Sequence, residues 1–175
     1  PELLKTLVSK RLIEINRSFS ISKTRYGLHP LAKSFASVKL EQSNWKQGFR
    51  KEIIEYYLNL VRQYGGRDWE DATKFQILED DRENIFFAIQ WAFEDEQWEC
   101  VVEFAEQLRN YTLIFGYWPQ RIKHCEDAAF ASDKLNNSLK SGRFYRHIGW
   151  TLILQGRLDD AEKRLQEALT IAEVS

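Results

Sequence analysis

Along the second half of the chain the apolar positions recur at intervals of three and four residues, the spacing of one face of an α-helix. Leu139, Gly142, Tyr145, Ile148/Gly149 and Leu152 form one such stripe, and Leu158, Ala161, Leu165, Ala168 and Ala172 form another. Between them stands Gln155-Gly156-Arg157, where a glycine suits a helix C-terminal cap. Asp159 and Asp160 follow, at what becomes the positive end of the next helix dipole. The pattern predicts a helix hairpin from about Leu139 to Ala172. Gly149 and Ala161, on opposite sides of the turn, let the two antiparallel helices approach closely, and Ala168 leaves room for a further hairpin.

Forty residues earlier the same positions return: Gly116 falls on Gly156, Trp118 on Leu158, Cys125 on Leu165 and Ala128 on Ala168. Val101, Ala105, Leu108, Tyr111/Thr112 and Phe115 make the stripe ahead of them. Arg121 stands where Ala161 stands, which predicts looser packing in this pair. A weaker third echo covers Asp80 to Glu94, with Ile85, Ala88/Ile89 and Ala92 on one side and Asp80/Asp81 as capping residues. The small residues Gly149, Gly156, Ala161 and Ala168, spaced Gly-x6-Gly-x4-Ala-x6-Ala with a large one at Leu165, resemble the tetratricopeptide repeat. The period is longer than that repeat's usual length of about thirty-four residues, so the resemblance implies a degenerate array. One hairpin cannot bury its own faces, and stacked hairpins can.

The first part of the chain has a different rhythm. Leu3, Leu4, Leu7 and Val8 predict a helix over 1–10, Arg11 to Asn16 alternate toward a strand, and Thr24 to Leu28 read as a return strand after a polar turn at Arg17 to Ser20. From Pro30, well placed in a first helical turn, the pattern is helical again, with Leu31, Phe35, Val38 and Ala32 expected to be buried. Helix, β-hairpin, helix is the order of the second half of a winged-helix domain. Between the two parts lies a helical bridge: Phe49, Ile53, Tyr56/Tyr57, Leu60 and Tyr64 form a stripe ended by Gly65-Gly66, and Trp69, Ala72, Phe75/Gln76 and Leu78/Glu79 form a shorter helix. The expected organisation is a partial winged-helix segment at 1–43, the bridge at 44–79 and repeats at 80–175. The fold class is mostly α, helical hairpin repeats of tetratricopeptide type preceded by one β-hairpin.

The segment Tyr26-Gly27-Leu28-His29-Pro30-Leu31-Ala32, with Phe35 and Ala36, resembles the stretch of NB-ARC and related STAND ATPases that ends in the Met-His-Asp motif. Leu28 replaces the Met and Pro30 the Asp, while the His is kept as His29. The resemblance implies that His29 contacts the phosphate of bound ADP in a longer parent protein. Glu83-Asn84-Ile85, followed by Ile89, Trp91 and Ala92, is similar to the opening of the repeat region of bacterial STAND regulators. The order of winged helix and then helical repeats is also that family's order.

Composition changes the picture in two places. The 175 residues carry a net charge of −1, which excludes a global field for nucleic acid, yet residues 1–40 hold eight Lys/Arg against two Asp/Glu. Two pieces of opposite charge are therefore joined. With no methionine anywhere, the chain reads as an excised piece. No long apolar run and no signal-peptide pattern occur, so a cytoplasmic location away from membranes is expected. The isolated Cys100 and Cys125 give no metal spacing and no disulfide framework.

Candidate chemistry is sparse. No G-x4-G-K-[ST] loop is present, so no ATPase activity and no cofactor are expected in this chain, with ADP or ATP belonging to the parent. The acidic runs Glu79-Asp80-Asp81 and Glu94-Asp95-Glu96 lie at helix ends without a ligating His, and His124 and His147 lack a partner nucleophile. The expectation is therefore not an enzyme. Helical hairpins expose the first helix of each pair, where Arg143, Arg146 and Trp150 lie together, and Glu103, Glu106 and Asn110 occupy the corresponding face forty residues earlier. An arginine pair beside a Trp suits an acidic or carboxylate-bearing peptide. The expected partner is a protein or peptide, or the parent's own nucleotide-binding domain, contacted by a regulatory module. The alternative is a winged-helix DNA-binding fragment using Lys5, Lys10, Arg11, Arg17, Lys23 and Arg25; a Leu-rich helix and half a domain disfavour DNA.

Overall fold

The computed structural model of the chain describes residues 2–17, 24–66 and 74–174. It divides into two compact units, Pro1–Glu52 and Ile53–Ser175. The first holds α1 (Glu2–Ser9), β1 (Ile13–Arg17), β2 (Thr24–Leu28) and α2 (Pro30–Glu41), together with the start of α3 (Lys46–Tyr64). β1 and β2 pair antiparallel, with Ile13 opposite Leu28 and Ile15 opposite Tyr26 on one face. Of these four, Ile13 alone is buried. The burial expected for α2 is not observed: Leu31, Phe35 and Val38 are 76%, 66% and 56% exposed. A helix and a two-stranded ribbon present too little apolar surface to lay a second layer over that face, the limit that small units meet. Lys23 and the Ser18–Ser20 part of the expected turn lie outside the described residues.

The second unit continues α3 and adds α4 (Phe75–Glu79), α5 (Arg82–Glu94), α6 (Trp98–Ile114), α7 (Trp118–Lys134), α8 (Ser138–Leu154) and α9 (Leu158–Val174). The last four helices are each 17 residues long and begin twenty residues apart. That pitch is set by the junctions. Glu96, Gly116, Asn136 and Gly156 are all left-handed, with φ between 54° and 75°. At three of them the amide three residues past the helix end donates back to the last turn: Gln97 to Ala92, Asn137 to Ser132 and Arg157 to Leu152, at 2.8–2.9 Å. This doubly bonded stop satisfies carbonyls that would otherwise be orphaned and reverses the chain in three residues. Asn137 also caps α8, its side chain accepting from the Lys140 amide at 3.1 Å.

Successive helices from α5 to α9 pack against one another in chain order. A Cβ added to Gly149 would lie 2.6 Å from Leu165 Cγ, and one added to Gly142 would lie 3.2 Å from Ile171 Cγ2. The small residues thus set the α8–α9 separation, as expected from their spacing. Arg121 does not hold its pair apart at the surface; it is 3% exposed, folded in among α6, α7 and α8. The core runs from Ile54, Leu58 and Val61 of α3 through Phe75, Ile85, Ile89, Phe104, Leu108 and Tyr111 to Phe144, Ile148 and Leu152. On α3 the buried stripe is turned by about one residue from the expected one: Ile54, Leu58 and Val61 face inward, while Tyr56 is 60% exposed. The aliphatic side chains fit the tight seam, and the larger tyrosines spread over its edge. Gly65 ends the helix where α6 passes closely; a Cβ there would meet the Gln107 carbonyl oxygen at 2.7 Å, and the Gly66 amide donates to that same oxygen at 2.9 Å. Trp69 and Ala72, expected in the short helix, lie outside the described residues. Among the described residues no helix is long and apolar enough to cross a membrane.

Candidate functional site

Helices α6 and α8 are the first members of their hairpins, and polar side chains join them. Glu106 of α6 pairs with Lys140 of α8 at 3.7 Å, and Arg109 Nη1 lies 3.4 Å from His147 Nε2. Together with Arg143, Phe144 and Arg146 these residues line a groove of about 130 Å³. One acidic residue lines it against four basic ones. Farther along α6, Glu103 receives Arg62 of α3 through two bonds of 2.5 and 2.6 Å, which hold its carboxyl below the usual carboxylate range.

Arg121 of α7 is buried and bonded to the backbone of Arg109, although it does not line the groove. Its Nε donates to Thr151 Oγ1 at 2.8 Å and its Nη1 to the backbone carbonyl of Arg109. Burial pushes its pKa below the ordinary arginine value, yet a guanidinium keeps its proton inside a protein. Its hydrogen bonds thus go to two neutral oxygens. His147 stands among these charges: burial, then Arg109, Arg121, Arg146 and Arg143, push its pKa down to about 3. It is neutral at ordinary pH and accepts from Arg109, so it orients that guanidinium without adding charge.

The six residues expected to meet a partner are thus divided. Glu106, Arg143 and Arg146 line the groove. Trp150 is 53% exposed but does not line it, Glu103 is engaged by Arg62, and Asn110 is only 2% exposed and offers nothing to a surface ligand. The glutamates of α6 pair with Lys140 and Arg62; among the described residues Arg143 and Arg146 make no ion pair. Sequence reasoning passed over Arg109, Lys140, His147 and Arg121 as site residues. A signal was there, since Arg109 and Arg121 stand forty residues before Gly149 and Ala161. The small pair that closes the last hairpin is replaced by two arginines in the preceding one.

The other candidates are held in structural contacts. His29 N-caps α2: its Nδ1 accepts from the Leu31 amide at 3.3 Å. Acceptance at Nδ1 places the ring proton on Nε2. Glu79 of the first acidic run accepts from Tyr111 and, at 2.8 Å, from Tyr117, while Arg82 bonds both Glu79 and Tyr117. Burial raises both phenols, Tyr111 far more. Asp81 sits at the N-cap of α5 without a side-chain cap bond. His124 is buried against Phe86, ring centroids 4.9 Å apart, and burial pushes it down to about 4. Burial pushes the Cys125 thiol up to about 11 and raises Cys100, which makes both poor nucleophiles. Among the described residues no group of three or more His, Cys, Asp or Glu could hold a metal ion.

No protein-family model matches the chain. No solved structure matches it. It is similar to the transcription activator GutR of Bacillus subtilis (strain 168), 25% identical over 177 residues that take in 95% of this chain and 21% of that protein. The chain therefore spans about a fifth of the length of the curated relative it matches.

Proposed function

We propose that the chain is a non-catalytic regulatory segment of a larger transcription regulator, in which stacked helical hairpins form a scaffold for an anionic protein or peptide partner. The observation that carries this reading is the α6–α8 groove, where Arg109, Arg143 and Arg146 converge on a face otherwise built for packing. An arginine-lined groove between rigid helices suits recognition of carboxylates, because the planar fork of each guanidinium matches them bidentately. The similarity to GutR, a transcription activator by name, supports regulation as the setting.

The resemblance to STAND ATPases extends the proposal to the parent. There the repeats act as sensor or autoinhibitory brake, and His29 contacts the phosphate of ADP through Nε2. His29→Ala in that full-length protein is expected to speed ADP release, and an unchanged release rate rejects the role. The scaffold itself is tested by fluorescence anisotropy with a labelled peptide rich in Asp and Glu. Binding that weakens with salt, and falls about tenfold or more in Arg143→Ala/Arg146→Ala, is expected from the loss of charge-assisted bonds of about 1.5–3 kcal/mol each. Binding that survives the double substitution rejects the groove. Duplex DNA in a mobility-shift assay is expected to compete poorly; a salt-dependent shift instead favours the basic residues of the first unit.

A further inference from the structure

Between α7 and α9 an ion pair bridges alternate helices, and forty residues earlier a different pair stands at the same positions. Arg164 of α9 reaches Glu126 of α7 at 2.9 Å and also pairs with Glu167 at 3.0 Å. The residues forty positions before Arg164, Glu126 and Glu167 are His124, Phe86 and Asp127. Between α5 and α7 the bridge is therefore a ring contact, Phe86 to His124, with centroids 4.9 Å apart. Beside it opens a groove of about 580 Å³, lined by Phe86, Ile89 and Phe93 of α5 and by Gln120, Lys123 and His124 of α7.

His124 points to a ligand. The residue is only 8% exposed, and its Nδ1 is buried without a hydrogen-bond partner. A polar atom in that state carries its full desolvation cost, which a partner would offset. Burial pushes the ring down to about 4, so at ordinary pH the imidazole is neutral and one of its nitrogens accepts. The torsion between Cβ and Cγ of a histidine is broad and two-fold, so a turn of the ring brings Nδ1 to the groove that the ring lines.

The remaining walls set the chemistry of that ligand. A groove of this volume falls within the range of about 300–1,000 Å³ typical of small-molecule sites. Lys123 at the rim is held by both carboxylate oxygens of Asp127 at 2.7 Å, and its ammonium lies 5.5 Å over the Phe93 ring. An anion would have to break that pair, and a cation would meet the lysine at the ring face it needs. An uncharged aromatic ring faces neither cost and gains the offset or edge contacts that Phe86 and Phe93 offer.

We propose that the α5–α7 groove binds a small uncharged aromatic molecule with a hydroxyl or ring N–H, of phenol or indole type, which packs on Phe86, Ile89 and Phe93 and donates to the His124 imidazole. Bound there, it ties α5 to α7 as the Glu126–Arg164 pair ties α7 to α9, and it gives the regulatory segment a small-molecule input. None of these residues lines the α6–α8 groove, so the two readings fail separately. The test is nuclear magnetic resonance of the whole chain, whose three histidines give few ring signals to separate, titrated with p-cresol, toluene and benzoate. Millimolar p-cresol is expected to shift the His124 ring nitrogens and leave His29 and His147 in place, and to bind about fivefold or more tighter than toluene or benzoate. His124→Phe is expected to erase the preference for p-cresol over toluene. Gln120→Trp, at an exposed position on the groove edge, is expected to fill the groove and block both. Unmoved His124 signals, equal affinity for p-cresol and toluene in the unsubstituted chain, or binding unchanged in Gln120→Trp overturn the site. N-acetyltyrosinamide that binds far more tightly than p-cresol assigns the groove to a tyrosine of a protein partner and overturns the small-molecule reading.

Discussion

Replacing Gly149 by Ala is the sharpest probe of how the repeats nest. In a solvent-facing helix the change is favourable, because Ala loses less backbone freedom on folding, by roughly 0.5–1 kcal/mol. Here the added methyl would lie 2.6 Å from Leu165 Cγ and 2.7 Å from Cδ2, against an ordinary carbon–carbon contact of about 3.5–4.0 Å. An overlap of this size must be relieved by turning Leu165 off its rotamer or by parting α8 from α9, and overpacking of this kind costs typically 1–3 kcal/mol. The propensity gain offsets part of that, so Gly149→Ala is expected to lose about 1–2 kcal/mol in urea unfolding. Leu165→Ala removes both clashing atoms, so in that background the same substitution becomes neutral or favourable, a coupling of about 1 kcal/mol or more between the two positions. Gly48→Ala is the control: nothing lies within 4 Å of the missing Cβ, and a gain of about 0.5–1 kcal/mol is expected. If Gly149→Ala stabilises the chain as Gly48→Ala does, the close approach of α8 and α9 is wrong.

Three further outcomes follow from buried polar groups. Tyr111→Phe removes a hydroxyl that donates to the Glu79 carboxylate from a fully buried ring, and is expected to cost about 1.5–3 kcal/mol in thermal or urea unfolding, with the fold kept by Tyr117 and Arg82. His124 has a folded-state pKa lowered from 6.5 to about 4, so between those values the unfolded chain binds more protons. Its contribution to stability is therefore intact above about pH 6.5 and is lost as the pH falls toward 4, by roughly 3 kcal/mol in all, and His124→Phe is expected to flatten that acid slope in urea titrations. Arg121→Met is expected to leave thermal stability unchanged or raise it, since burying an apolar chain in place of a charge without an anion removes a desolvation cost; a large drop in the melting temperature contradicts the account of Arg121.

The junctions explain why so much of the repeat region is legible in the sequence. Gly116 and Gly156 mark the reversals openly, and the forty-residue register places every helix between them. Glu96 and Asn136 adopt the same left-handed geometry without a glycine, so the half-period of twenty residues emerges only when the backbone is in view. Periodicity fixes a stripe but not its partner. On α3 the tyrosines dominate the pattern, yet packing density favours Ile54, Leu58 and Val61 in the seam. On α2 the stripe is real, and among the described residues it stays exposed. The groove was half legible: Arg143 and Arg146 stand out on an exposed face, whereas Arg109 and Arg121 lie at positions reserved for small residues and read as defects of the repeat. Their convergence with His147 depends on the crossing of α6 and α8, which local spacing does not encode.

Hydrogen–deuterium exchange of the whole chain, with and without the acidic peptide, addresses the ligand face most directly. The account predicts slowed exchange confined to α6 around Glu103–Arg109 and to α8 around Lys140–His147, with α9 and the Ile13–Leu28 hairpin unchanged. Protection that falls on the hairpin or the outer face of α9 and spares α6 and α8 contradicts it.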